Sequence, residues 1–267
     1  MSPDTTPGAV VLVGCGRLGS AILEGWLATG AIAPERLVVL TPSSKPAADV
    51  AQGRGARINP DLNAIGPVDA VLLAVKPAVW REATASLTAV LNGAVVVSVM
   101  AGIRAGDIEA VLQVPVARAM PTTAVAQARG VAALWSDDAL AREMARTLFS
   151  AVADVVDLED EALIDAATAV AGSAPAFIYA FVEALARAGE EAGLSGEAAA
   201  RLARGALRSA GAGVDTDAGL TELIGRIASP GGTTRAGLEA MTQDGGPDRL
   251  AGAAVSAAIR RAKELSA

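Results

Sequence analysis

Gly14, Gly16 and Gly19 stand in the run G-C-G-R-L-G, a spacing that suits a phosphate. Between a strand and a helix, the first glycine permits a tight turn. The second lets the backbone approach a pyrophosphate, and the third lets the helix pack on the strand. Arg17 and Leu18 complete the turn, where a helix start would aim its positive end at the phosphates. The plain alternative is a tight turn with no ligand. Cys15, the only cysteine, occupies a variable position of the turn and reads as a small packing residue rather than a nucleophile. Late in the chain, residues 229–234 read S-P-G-G-T-T. Two meanings stay open there. Ser229 can cap a helix with Pro230 at its first position. Alternatively, Gly231 and Gly232 let an anion reach unpaired backbone N–H groups, and Thr233 and Thr234 add hydroxyl donors. Histidine is absent, which removes His triads, His acid–base catalysis and His-ligated metals; no metal is expected. Any reaction must run on a cofactor, carboxylates, Lys, Tyr, hydroxyls or backbone.

These residues need elements to hold them. Residues 9–13 (A-V-V-L-V) form an apolar run of the kind found in a buried parallel strand, directly before the glycine turn. Further strands are expected at 37–41, 56–58, 70–75, 94–99, 115–118, 131–134 and 153–157, with helical segments after the first strand and at 78–91. This is the β-α-β alternation of a doubly wound sheet. From Glu159 onward no strand is expected. Helices are expected at about 159–170, 174–193, 195–213, 217–227, 233–242 and 247–265, separated by turn signals at 172–175 (G-S-A-P), 193–196, 229–232 and 244–247. Ser173 is placed to cap the second of these helices. The fold class is α/β: a Rossmann-like dinucleotide-binding domain over 1–158, then an all-helical domain over 159–267.

In such sheets ligands bind at the carboxyl ends of the strands. The second strand ends in T-P-S-S-K, with no acid to take the ribose hydroxyls of NAD. The hydroxyls of Thr41, Ser43 and Ser44 and the cation of Lys45 suit a 2′-phosphate instead. NADPH is therefore favoured, with NADH left open; an ordinary Ser/Pro turn is the alternative. Ala74, Val75, Lys76 and Pro77 end the fourth strand, Ala101 and Gly102 follow the fifth, and Met120 and Pro121 close another. All are expected to line the cofactor crevice.

Composition narrows the class. Of 267 residues, 52% are hydrophobic but only 3% aromatic, so alanine and aliphatic side chains must fill the core. Mean hydropathy is +0.42, and no run reaches the roughly 18 apolar residues of a membrane span. The surplus apolar surface points to a subunit interface rather than to a membrane. A net charge of −7 argues against nucleic acid. The first residues lack the basic start and apolar stretch of a signal peptide, and a single cysteine allows no internal disulfide, so a cytoplasmic protein is expected.

G-C-G-R-L-G, A-V-K-P at 74–77, M-A-G-I at 100–103, R-A-M-P at 118–121, G-S-A-P-A-F at 172–177 and S-P-G-G-T-T at 229–234 occur in this order. Together they resemble the pyrroline-5-carboxylate reductase family along nearly the whole chain. The resemblance implies NAD(P)H-dependent reduction of the ring C=N bond of 1-pyrroline-5-carboxylate to L-proline, the last step of proline biosynthesis. It implies a homodimer through the helical domain, with dimers assembling into a decameric ring. It also implies that Ser229, Gly231, Gly232, Thr233 and Thr234 grip the substrate carboxylate, with Thr234 nearest the ring nitrogen as the catalytic residue. The chain departs from the family in places. Thr122, Thr123 and Ala124 follow Met120-Pro121 where an Asn and a Pro are common, and Ala174 replaces a frequent glycine. The family's adenosine-side Asn has no clear counterpart around Asn59-Pro60-Asp61.

Four other functions share parts of this pattern. A β-hydroxyacid dehydrogenase would carry a lysine in the long helix after the glycine turn, and residues 177–182 (F-I-Y-A-F-V) offer none. A deazaflavin-dependent NADP oxidoreductase would share the first half but would not need S-P-G-G-T-T. A nucleotide-sensing regulator would bind NADP without turnover. A reductase of a related cyclic imine would keep the whole site.

Overall fold

The computed structural model describes residues 8–266; the N-terminal residues read above against a signal peptide lie, apart from Gly8, outside them. The chain runs β1 (Ala9–Val13), α1 (Arg17–Thr29), β2 (Leu37–Leu40), α2 (Pro46–Gly53), β3 (Arg57–Ile58), β4 (Val68–Leu73), α3 (Trp80–Thr84), β5 (Val95–Ser98), α4 (Ala105–Leu112), β6 (Val116–Pro121), β7 (Gly130–Trp135), α5 (Ala139–Phe149) and β8 (Ala153–Asp157). These strands form one sheet in the order β3-β2-β1-β4-β5-β6-β7-β8. β1 therefore sits where the strand order reverses, the position at which such sheets open a crevice.

β1 is apolar throughout because both of its faces are covered. Val10 and Leu12 join a core with Ile22, Leu23 and Trp26 of α1, Ala47 and Ala51 of α2, and Leu148 and Phe149 of α5. Ala9, Val11 and Val13 join the opposite core with Trp80 of α3 and Ile108 of α4. Each fully buried Val or Leu contributes about 1.5–3 kcal/mol. The Trp26 indole N–H donates to the Leu148 carbonyl at 2.7 Å and ties α1 to α5.

The strands expected from sequence are all present, with one difference in direction. β7 pairs antiparallel with β6, and β8 runs parallel to β7. Residues 122–129, which join β6 to β7, are too short for a parallel crossover of a dozen residues or more.

After Asp157 the chain is helical: a short 3-10 turn (Glu161–Leu163), α6 (Ile164–Ala167), a π-helical stretch (Thr168–Ser173), α7 (Ala174–Glu191), α8 (Gly196–Val214), α9 (Leu220–Ile227), α10 (Thr233–Thr242) and α11 (Gly246–Ser266). G-S-A-P is not the turn expected at 172–175, and the Ser173 side chain caps nothing. Pro175 cannot donate a backbone bond, and a π turn carries the helix past it by shifting the carbonyl pairing. The continuous helix 161–191 is long and apolar enough to cross a membrane by length and composition alone, and little of it is buried within the chain. By compactness the chain forms two units: one up to Gly172 together with the chain from Ile259 onward, the other Ser173–Ala258.

Candidate active site

The glycine turn leaves β1 at Gly14, whose N–H donates to the Leu40 carbonyl at 2.8 Å. Gly14 has φ +97°, and an added Cβ would lie 2.6 Å from the Ala74 carbonyl oxygen and 2.8 Å from Val75 Cγ1. At Gly19 a Cβ would lie 2.2 Å from the Gly14 carbonyl oxygen. Packing therefore demands glycine at both positions. Gly16 is different: a Cβ there would meet no protein atom within 4 Å. The fold does not require glycine at 16, whereas a phosphate brought against the backbone would. Gly16 also caps α1 without any side-chain cap bond, and the first turn holds no acid. The N–H groups opening this helix thus face outward with its positive end. The turn fits a dinucleotide pyrophosphate.

Gly14, Thr41 and Val75 line one cleft of about 830 Å³ together with Asn59, Asn63 and Ser86. Asn59, unassigned from sequence, fixes the end of β2. Its side-chain oxygen accepts from the Thr41 N–H at 2.9 Å, and its amide donates to the Thr41 carbonyl at 2.8 Å. The hydroxyls expected to meet a 2′-phosphate are partly engaged already. Thr41 Oγ1 donates to the Ser43 carbonyl at 3.0 Å, and Ser44 Oγ donates to the Asp49 carboxylate at 3.0 Å. Lys45 caps α2 through its backbone. Asp49 places on α2 an acid that the strand end lacks.

Ala74 stays beside β1, its N–H donating to the Val13 carbonyl at 2.8 Å. Lys76 and Pro77 lie on the exposed turn that follows. Met120 and Pro121 are the last residues of β6, paired with Ala133 and Ala132 of β7. Gly102, with φ +76°, lines a second cleft, which also holds Arg118 and Glu161. Arg118 stands inside R-A-M-P without a role assigned from sequence, and Glu161 likewise carries none.

In the helical unit the Gly232 N–H donates to the Ser229 carbonyl at 3.1 Å. Pro230 and Gly231, with φ +69°, are the central pair of a type II turn. A Cβ on Gly232 would lie 2.7 Å from Ser229 Oγ. Ser229 is therefore not the helix cap; Gly232 is, and α10 opens at Thr233 with no side-chain cap bond. Turn geometry explains the glycines. It does not explain a helix that starts without a side-chain cap on two exposed threonines, Thr233 and Thr234. Arg235 turns back to donate to the Ala228 carbonyl at 3.2 Å, which braces the turn.

Residues 161–265 match the family model for pyrroline-5-carboxylate reductase dimerisation. Residues 9–102 match the model for coenzyme F420-dependent NADP oxidoreductases, the half that the deazaflavin rival would share. The pyrroline-5-carboxylate reductase of Pseudomonas aeruginosa is 34% identical over 96% of each chain. That of Synechocystis is 34% identical, covering 95% of this chain and 97% of its own. The solved pyrroline-5-carboxylate reductase of Coxiella burnetii superposes with a TM-score of 0.86 at 29% identity, covering 97% of this chain and 99% of its own.

Proposed function

The chain belongs to the pyrroline-5-carboxylate reductase family, and we propose that it reduces the C=N bond of 1-pyrroline-5-carboxylate to L-proline with NADPH, accepting NADH less well. The full-length likeness to the Pseudomonas enzyme carries the reading, because at 96% coverage it takes in both the glycine turn and S-P-G-G-T-T. Gly14, Gly16, Arg17, Leu18 and Gly19 would hold the pyrophosphate. Thr41, Ser43, Ser44 and Lys45 would hold the ribose phosphate, and the turns at 74–77 and 101–102 with the end of β6 at 120–121 the nicotinamide side. When bound, the reduced nicotinamide supplies a hydride to the substrate carbon.

The chain's own part is to bind, orient and exclude water. The N–H groups of Thr233 and Thr234 open α10 without a capping side chain, so the carboxylate of the substrate takes the place of a cap. The Thr234 hydroxyl orients the ring at its nitrogen. A substrate that arrives as the iminium already carries that proton, which fits a chain without histidine. The enzyme works in the cytoplasm as a homodimer through its helical unit, with dimers closing into a decameric ring. The chemical test is NADPH oxidation on addition of pyrroline-5-carboxylate. Folded protein that turns over neither NADPH nor NADH would overturn the reading.

A further inference from the structure

Arg118 sits in the middle of β6 and is 5% exposed. Its guanidinium spans two targets. Nη1 donates to Glu161 Oε1 at 3.1 Å, and Nη2 donates to the Met100 carbonyl at 3.3 Å. The same Glu161 oxygen accepts the Ala105 N–H at 2.7 Å, at the first residue of α4. One ion pair, with Arg118 buried and Glu161 partly exposed, thus holds both ends of the segment 100–105. Between these fixed points lie Ala101 and Gly102, and Gly102 at φ +76° is free to adopt many conformations.

We propose that Arg118 and Glu161 are a positioning pair that holds the segment 100–105 in the shape that receives the nicotinamide side of the cofactor. The inference rests on the reading of that segment as part of the cofactor site. Packing alone gives no reason for the pair, since apolar residues of similar volume would fill a buried position at least as stably. Arg118 Nε has no partner among the described residues, so the guanidinium is not placed to satisfy itself. It is placed to reach Met100 and Glu161 together. A lysine presents all its donors from one nitrogen, so it loses the planar fork that meets the two acceptors with separate nitrogens.

Two conservative variants test the pair. Glu161→Gln keeps an acceptor for the Ala105 N–H but removes the charge facing Arg118. Arg118→Lys keeps the charge but loses the fork. In the ligand-free variants, amide hydrogen exchange over 101–105 should speed up about tenfold while β1 and β4 keep their protection. The NADPH dissociation constant, read by fluorescence without substrate, should rise about five- to tenfold. The KM for the pyrroline should stay near wild type. Unchanged exchange and unchanged NADPH affinity in both variants would overturn the proposal. So would faster exchange spread evenly over the sheet, which is the signature of a purely structural pair. Wild-type protein that does not bind NADPH would overturn the cofactor role itself, and the exchange arm would still report whether the pair holds the segment.

Discussion

Gly16 and Gly19 separate binding from folding within one turn. Gly19→Ala forces a Cβ to 2.2 Å from the Gly14 carbonyl oxygen, and overpacking of this kind costs about 1–3 kcal/mol. Gly16→Ala meets no protein atom. Thermal unfolding should therefore shift down clearly for Gly19→Ala and little for Gly16→Ala, while NADPH affinity falls in both. A Gly16→Ala protein that binds NADPH normally would remove the phosphate from this turn. Thr234→Ala tests the other site: kcat/KM for the pyrroline should fall about tenfold or more, with the NADPH dissociation constant unchanged. Loss of NADPH binding to the same extent would show Thr234 to be misplaced. Sequence alone exposed the glycines and threonines because their residue types carry the signal. It could not expose Asn59, Asp49 or the Arg118–Glu161 pair. An ion pair between residues 43 apart leaves no local trace, and a side-chain amide bridging two strand ends depends on register.

At the scale of elements, the strands were legible because a sheet covered on both faces demands unbroken apolar runs, as in A-V-V-L-V. Direction was less so: β7 turns antiparallel only because 122–129 cannot span a crossover. Proline and glycine misled at 172–175, where a π stretch lets one helix continue. At 229–232 they mark a turn that is present, and only the capping residue differs, because Gly232 rather than Ser229 precedes α10. With Gly232 as the cap, Ser229→Ala should leave α10 intact and cost only a few tenths of a kcal/mol. A lost Ser/Thr/Asn/Asp cap would cost about 1 kcal/mol. A denaturation midpoint lowered by that larger amount would restore Ser229 as the cap.

For the whole molecule, the question is what covers the helical unit. Phe177, Ile178, Phe181 and Leu185 of α7 are 37–47% exposed in the single chain, and they lie within a stretch that matches a dimerisation model. An apolar surface of this kind is stable in water when a second copy buries it. Ile178→Asp should shift sedimentation at micromolar concentration from dimer or larger to monomer; a wild-type monomer under those conditions would contradict the assembly. Composition hinted at this interface through an apolar surplus without aromatics, but only the exposed face locates it. The reaction itself is tested by measuring NADPH consumed and L-proline formed when purified protein meets pyrroline-5-carboxylate. One proline per NADPH is expected, with lower activity on NADH. Folded protein that forms no proline with either cofactor would contradict it.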